Sequence, residues 1–249
     1  MAGPIEQFEI HRHLPLEIAG LDVSITNSSL WMMGIVTTLS LFMLAATSRA
    51  RLVPGRLQTA AELAYVFVAN MLKDNAGDGG RPFFPFIFTL FFFILGANLA
   101  GLLPYSFTVT SHIIVTFTLA IVVVAGVTIV GFVKHGLGFL RLFVPSGAPW
   151  PLLFLIVPME LLSYLVRPIS LSVRLFANML AGHVMLKVFG GFVAAFLAFG
   201  GALGILGASL PLALTFALTA LEFLVAILQA YVFAVLSCIY LNDALHPAH

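Results

Sequence analysis

The sequence predicts an all-α, polytopic membrane protein: about five membrane-embedded helices, one amphipathic helix lying at the interface, and two final helices that are long and strongly tilted. Three observations carry this. Apolar residues make up 61% of the chain and charged residues only 8%, with a mean hydropathy of +1.11, whereas soluble domains run near half apolar and about a quarter charged. The apolar runs are continuous, without the in–out alternation of a membrane β-barrel. Finally, 249 residues leave room for five or six spans at roughly 20 residues each. One membrane domain, residues 1–249, is expected.

Residues 1–28 form an N-terminal segment with Glu6, Glu9, Arg12, Glu17 and Asp22 before any apolar run. That order is the reverse of a cleavable signal peptide, and none is expected. The first span is residues 29–48, closed by Arg49 and Arg51. Residues 56–73 place Leu57, Ala60, Ala61, Ala64, Phe67, Val68 and Met71 at helical spacing among Gln58, Glu62, Asn70 and Lys73, the pattern of a helix lying on the membrane surface. A glycine-rich loop leads to residues 83–133, read as a helical hairpin turning at Pro104–His112.

Two stretches, 151–189 and 209–241, would measure about 58 and 50 Å as helices against a hydrocarbon core of roughly 30 Å. Both must tilt or bend. The glycines Gly190, Gly191, Gly200, Gly201, Gly204 and Gly207 between them are the expected turn region. Positive charge sets orientation. Arg49, Arg51, Arg56, Lys73 and Arg81 precede the second span and Lys134 and Arg141 follow the third. The N-terminus is therefore expected outside and the C-terminus in the cytoplasm.

Function is sought in the ionisable residues within apolar segments, since each costs about 2.5–3.5 kcal/mol at the bilayer centre and such residues mark ion paths or counter-ions. Glu160, Ser163, Arg167, Ser170, Arg174 and Asn178 fall within an arc of about 80° on an ideal helix. Pro168 interrupts the stripe. His183 lies roughly 180° from Arg174, so a single path joining both needs a distortion or a second cavity. In the last helix, Glu222 and Gln229 share a face. Blander roles stand beside these: Glu160 and Arg167 as snorkelling or paired structural charges, Lys187 as an interfacial anchor, Asn178 and Gln229 as interhelical glue, and Arg174–Glu222 or His183–Glu222 as structural ion pairs.

Other chemistry is disfavoured. Net charge of +1 offers no field for nucleic acid, and a single cysteine, Cys238, excludes an intrachain disulfide. Glu9, His11 and His13 make a weak metal set. The glycine clusters lack phosphate-loop spacing, no nucleophile–base grouping appears, and no cofactor is expected.

The run Pro168-Ile-Ser-Leu-Ser-Val-Arg174-Leu-Phe-Ala-Asn178-Met-Leu-Ala-Gly182-His183, with its Ser-x-x-x-Arg-Leu-x-x-Asn core, resembles the signature helix of subunit a of F-type ATP synthases. Glu222 to Tyr231 is similar to the companion motif, and the resemblance extends from the first span to the C-terminus. It implies that Arg174 is the family's essential arginine, Asn178 its helical neighbour, Gln229 the glutamine facing it, and Glu160 a polar residue on the cytoplasmic approach. His183 and Glu222 occupy positions where many bacterial members carry the acid first and the histidine second, so this sequence has the mitochondrial-like arrangement. The implied task is non-catalytic proton translocation through two aqueous half-channels in a multi-pass membrane subunit, expected in a bacterial inner membrane. The implied partners are protons, lipid, a ring of c-subunits, b-type peripheral stalk subunits and the rest of the synthase.

Overall fold

A computed structural model describes residues 12–14, 17–18, 21–22, 24–48, 51–103, 106–144 and 150–246. Glu6, Glu9 and His11 lie outside the described residues. Residues 12–26 contribute short antiparallel pairings, Arg12–Leu14 with Ile25–Thr26 and Glu17–Ile18 with Leu21–Asp22. Among the described residues everything else of regular structure is helical: α1 Asn27–Thr47, α2 Arg56–Ala76, α3 Phe84–Gly101, α4 Ile113–His135, α5 Trp150–Ala198 and α6 Gly201–Leu245, joined in part by 3-10 turns. Among the described residues, five helical segments, those containing α1, α3, α4, α5 and α6, are long and apolar enough to cross a membrane.

The start of α1 is specified locally. Thr26 and Ser29 form a reciprocal capping box, each side chain accepting from the other's backbone N–H, which satisfies amide groups that a helix end leaves without partners. α2 covers the segment that the sequence pattern reads as a surface helix and runs three residues further at its C-terminal end. Its buried side chains Ala61, Val68, Met71, Leu72 and Ala76 recur at helical spacing, while Leu57 and Phe67 of the anticipated apolar stripe are exposed.

Residues 83–133 do not make a close hairpin. α3 packs on α6, whereas α4 packs on α5 and α6. The reason lies in α6, where Ala226, Ala230, Ala234 and Cys238 are fully buried at four-residue spacing. A seam of small residues lets neighbouring backbones approach closely, which is how helices associate in lipid. The central core accordingly gathers Val68 and Leu72 from α2, Ile87 and Ile94 from α3, Val123 from α4, Leu171 and Leu175 from α5, and Phe233 from α6. α1 stands to one side, with Ile35 against Ala97, Phe107 and Val109.

The long helices are longer still than the sequence suggests. α5 has 49 residues and α6 has 45, about 73 and 68 Å of helix. Gly190 and Gly191 do not turn the chain; they sit inside α5. The turn is at Gly200 and Gly201, both at positive φ (72° and 66°), a region that L side chains avoid. Gly204 and Gly207 serve packing, since a Cβ on either would lie 2.6 Å from the Phe196 carbonyl oxygen or 2.8 Å from its ring. In an apolar setting each broken backbone hydrogen bond is costly, so glycine alone does not end a helix. Pro158 and Pro168 likewise lie within α5.

Candidate functional site

The site is built on the antiparallel α5–α6 pair and the connection between α3 and α4. On α5, Leu171, Leu175 and Met179 are fully buried, one row at four-residue spacing, and His183 is its next member. Arg174 and Asn178, one turn apart beside this row, are exposed. The angular separation anticipated for His183 and Arg174 is thus realised along a continuous helix. His183 turns into the subunit and Arg174 out of it.

His183 meets α6. Its Nε2 lies 3.6 Å from Glu222 Oε1 and 3.2 Å from Thr108 Oγ1. Gly182 makes this approach feasible: a Cβ there would stand 2.6 Å from Glu222 Oε1. The charge of Lys187, one turn further along α5, also acts on His183. Glu222 therefore faces the imidazole, and no ion pair joins it to Arg174. Among the described residues, Arg174 has neither a hydrogen bond nor an ion pair. One turn on, Asn178 Nδ2 donates to Gln229 Oε1 at 3.1 Å, which ties the exposed side of α5 to the buried Gln229 on α6.

Seven buried side-chain polar atoms among the described residues lack a hydrogen-bonding partner, and all belong to Asn98, Thr110, Ser111, His112, Glu222 and Gln229. Asn98 is fully buried on α3, with its amide N–H donating to the Ala226 carbonyl across the α6 seam at 3.1 Å. Buried polar groups are nearly always satisfied by protein or water, and a polar site of this density is where internal water is held. The belt leads from the α3–α4 connection to the Glu222–Gln229 face of α6.

At the opposite end of the pair, Arg167 donates to Asp243 Oδ2 at 3.0 Å. Its guanidinium carbon is 5.2 Å from the Tyr164 ring centroid and 4.8 Å from that of Tyr240, distances at which a cation is attracted to an aromatic face. Tyr164 is held in turn by a 2.6 Å bond to Thr128 on α4. His135, ending α4, bonds the Leu245 carbonyl at 3.0 Å, so the Arg167–Asp243 end lies on the same side as Lys134. Glu160, two turns before Arg167 on α5, is half-buried and makes no hydrogen bond or ion pair among the described residues.

The profile of the ATP synthase A chain family matches residues 28–242, which include Glu160, Arg174, Asn178, His183, Glu222 and Gln229. The chain belongs to the ATP synthase A chain family. Its relatives include proteins named ATP synthase subunit a from Mesorhizobium japonicum, 61% identical over 246 residues covering 99% of this chain and 97% of the relative, and from Allorhizobium ampelinum, 62% identical over 244 residues covering 98% and 97%. A third, from Chelativorans sp., is 61% identical over 249 residues, covering 99% and 98%.

Within this member of the family, of the six residues singled out from sequence, the fold brings His183 to Glu222 and Asn178 to Gln229, and leaves Arg174 and Glu160 apart from both pairs. Sequence reasoning missed Thr108, Asn98, Gly182 and Asp243. Polarity was the available signal for Asn98, a lone amide in an otherwise apolar span. Gly182 carries none, because its use depends on a side chain 40 residues away in sequence.

Proposed function

We propose that this chain is the proton-translocating stator subunit of the membrane sector of an F-type ATP synthase, itself non-catalytic, in a bacterial inner membrane with its N-terminus outside and C-terminus in the cytoplasm. A c-subunit ring rotates against the exposed side of α5, b-type stalk subunits and the rest of the synthase hold the stator, and protons pass by two half-channels. The observation that carries this reading is the contrast across α5: Arg174 exposed at the helix midpoint, and His183 turned inward to a belt of buried polar side chains with unsatisfied atoms that ends at Glu222 and Gln229 on α6.

In this reading the outer half-channel is that belt. Protons travel from the α3–α4 connection to the His183–Glu222 pair and reach the rotor through Gln229 and Asn178. Each rotor subunit carries a carboxyl that is neutral in lipid and ionises only where a cation or water lowers the cost. Arg174 supplies that cation with its guanidinium and repels a proton that would leak straight between the half-channels. Such a leak would waste about 2.3 kcal/mol per proton for every 100 mV. Glu160, at the other end, serves the cytoplasmic half-channel.

The decisive experiment is Arg174→Ala in the assembled complex. ATP-driven proton pumping into inverted membrane vesicles is expected to be abolished while the complex still assembles. Coupled pumping retained in that variant sinks the proposal.

A further inference from the structure

The relay just described has its inner members on α5 and α6, and the α3–α4 connection contributes one more ionisable side chain to the same belt. We propose that His112 is the proton-collecting residue at the outer mouth, taking protons from the outer medium and passing them inward to His183 and Glu222. This rests on the half-channel reading above.

Geometry carries the inference. His112 is the residue immediately before α4, and its carbonyl accepts from Val115 and Thr116 at 3.1 and 3.2 Å while its own N–H donates to Val109. The backbone is therefore held from both sides. The imidazole is stacked on Phe107, with centroids 4.9 Å apart and planes at 17°, and Phe107 is anchored among Ile35, Ala97 and Val109. The stack fixes the plane of the ring. Nε2 is buried without a partner, as are the hydroxyls of Thr110 and Ser111 beside it. Thr108, in the same connection, touches His183. A histidine with a structural task would bond its ring nitrogens to the protein; this one leaves Nε2 buried and unbonded, four residues along the same connection from the Thr108 hydroxyl that contacts a second histidine.

The electrostatic surroundings agree. α1 and α3 carry no ionisable side chain, and those of α4, Lys134 and His135, are at its far end. From α5 the groups toward this region are His183 and Lys187, and from α6 Glu222. Burial holds the imidazole below its ordinary value, and no charged neighbour contributes. The cation is consequently short-lived at neutral pH: Nε2 takes a proton from outer hydronium, becomes imidazolium, and returns to neutral by giving that proton to water in the belt. Its occupancy rises as the outer medium becomes more acidic than an ordinary histidine requires.

The test uses the complete synthase in liposomes, with cytoplasmic-side pH and total driving force held constant by a balancing potassium potential while the outer pH is varied. Wild-type synthesis should fall as the outer pH rises past an inflection below that of free histidine, approaching about tenfold per unit, the slope of one titrating group. His112→Gln keeps size and hydrogen bonding but carries no proton, and should flatten that limb; in His112→Ala, added imidazole should restore it. A His112→Gln enzyme with the wild-type profile overturns the inference, as does a wild-type profile without the inflection, a measurement independent of whether any variant assembles. Arg174→Ala serves as the separating control. If it abolishes coupling while His112→Gln changes nothing, only the role of His112 is lost; if it leaves coupling intact, the half-channel reading fails as well.

Discussion

The imidazole of His183 and the carboxylate of Glu222 face each other at 3.6 Å across the α5–α6 seam because residue 182 has no side chain. In Gly182→Ala the new methyl would occupy the position of the carboxylate, and overpacking of this kind costs about 1–3 kcal/mol. The variant is expected to assemble with greatly reduced ATP-driven pumping. Adding Glu222→Asp, which withdraws the carboxyl by one methylene, should recover part of the rate. Fluorescence quenching in inverted vesicles measures both.

Thr108 offers a milder perturbation. Its hydroxyl bonds His183 Nε2 at 3.2 Å, and Thr108→Val removes that contact at nearly constant shape. The pumping rate should drop and its pH optimum move, whereas Thr108→Ser should keep both close to wild type. A valine variant indistinguishable from wild type would assign Thr108 to packing alone.

Arg167 and Asp243 join residues 76 apart in sequence. Their side chains are 17% and 33% exposed, and removal of the guanidinium also vacates the space between two tyrosine rings. Arg167→Ala is expected to cost about 1–3 kcal/mol of α5–α6 association, read as a lower temperature of subunit loss from the detergent-solubilised complex. Arg167→Lys should recover only part of this, since an ammonium lacks the planar face that stacks on the rings. A double-mutant cycle with Asp243→Asn isolates the ionic share.

Two glycines ten residues apart should respond in opposite directions. Gly200 adopts φ of 72°, so Gly200→Ala would place a side chain in a region costing roughly 1–2 kcal/mol and should lower stability. Gly190 is helical with open space where a Cβ would project, so Gly190→Ala should be neutral or stabilising by up to about 1 kcal/mol. Parallel thermal-stability measurements on the two variants check where the chain reverses.

Much of the fold is legible in the sequence because lipid imposes a simple length rule. The segments bearing α1, α3 and α4 are found that way, and α2 by its periodicity. Less legible are features that depend on what a helix meets. The continuation of α5 through Gly190 and Gly191 follows from the penalty on broken backbone bonds in an apolar medium, which outweighs the weak helix preference of glycine. The separation of α3 from α4 follows from the alanine seam of α6, which is evident only once its neighbours are known. At the site, the opposed faces of Arg174 and His183 can be counted from helical phase. Thr108 and Asp243, each some 75 residues from the side chain it contacts, give no local sign of their partners.

The exposure of Arg174 bears on how the protein is made. At the midpoint of a 49-residue apolar helix, its guanidinium stands where, before partners arrive, the neighbour is hydrocarbon, at a penalty of about 2.5–3.5 kcal/mol. The newly synthesised subunit is thus complete in fold and incomplete in solvation. Under the proposed function, assembly acquires an order: the surface that receives Arg174 is expected in the bilayer before this subunit, so that the charge leaves hydrocarbon as soon as the chain is in place.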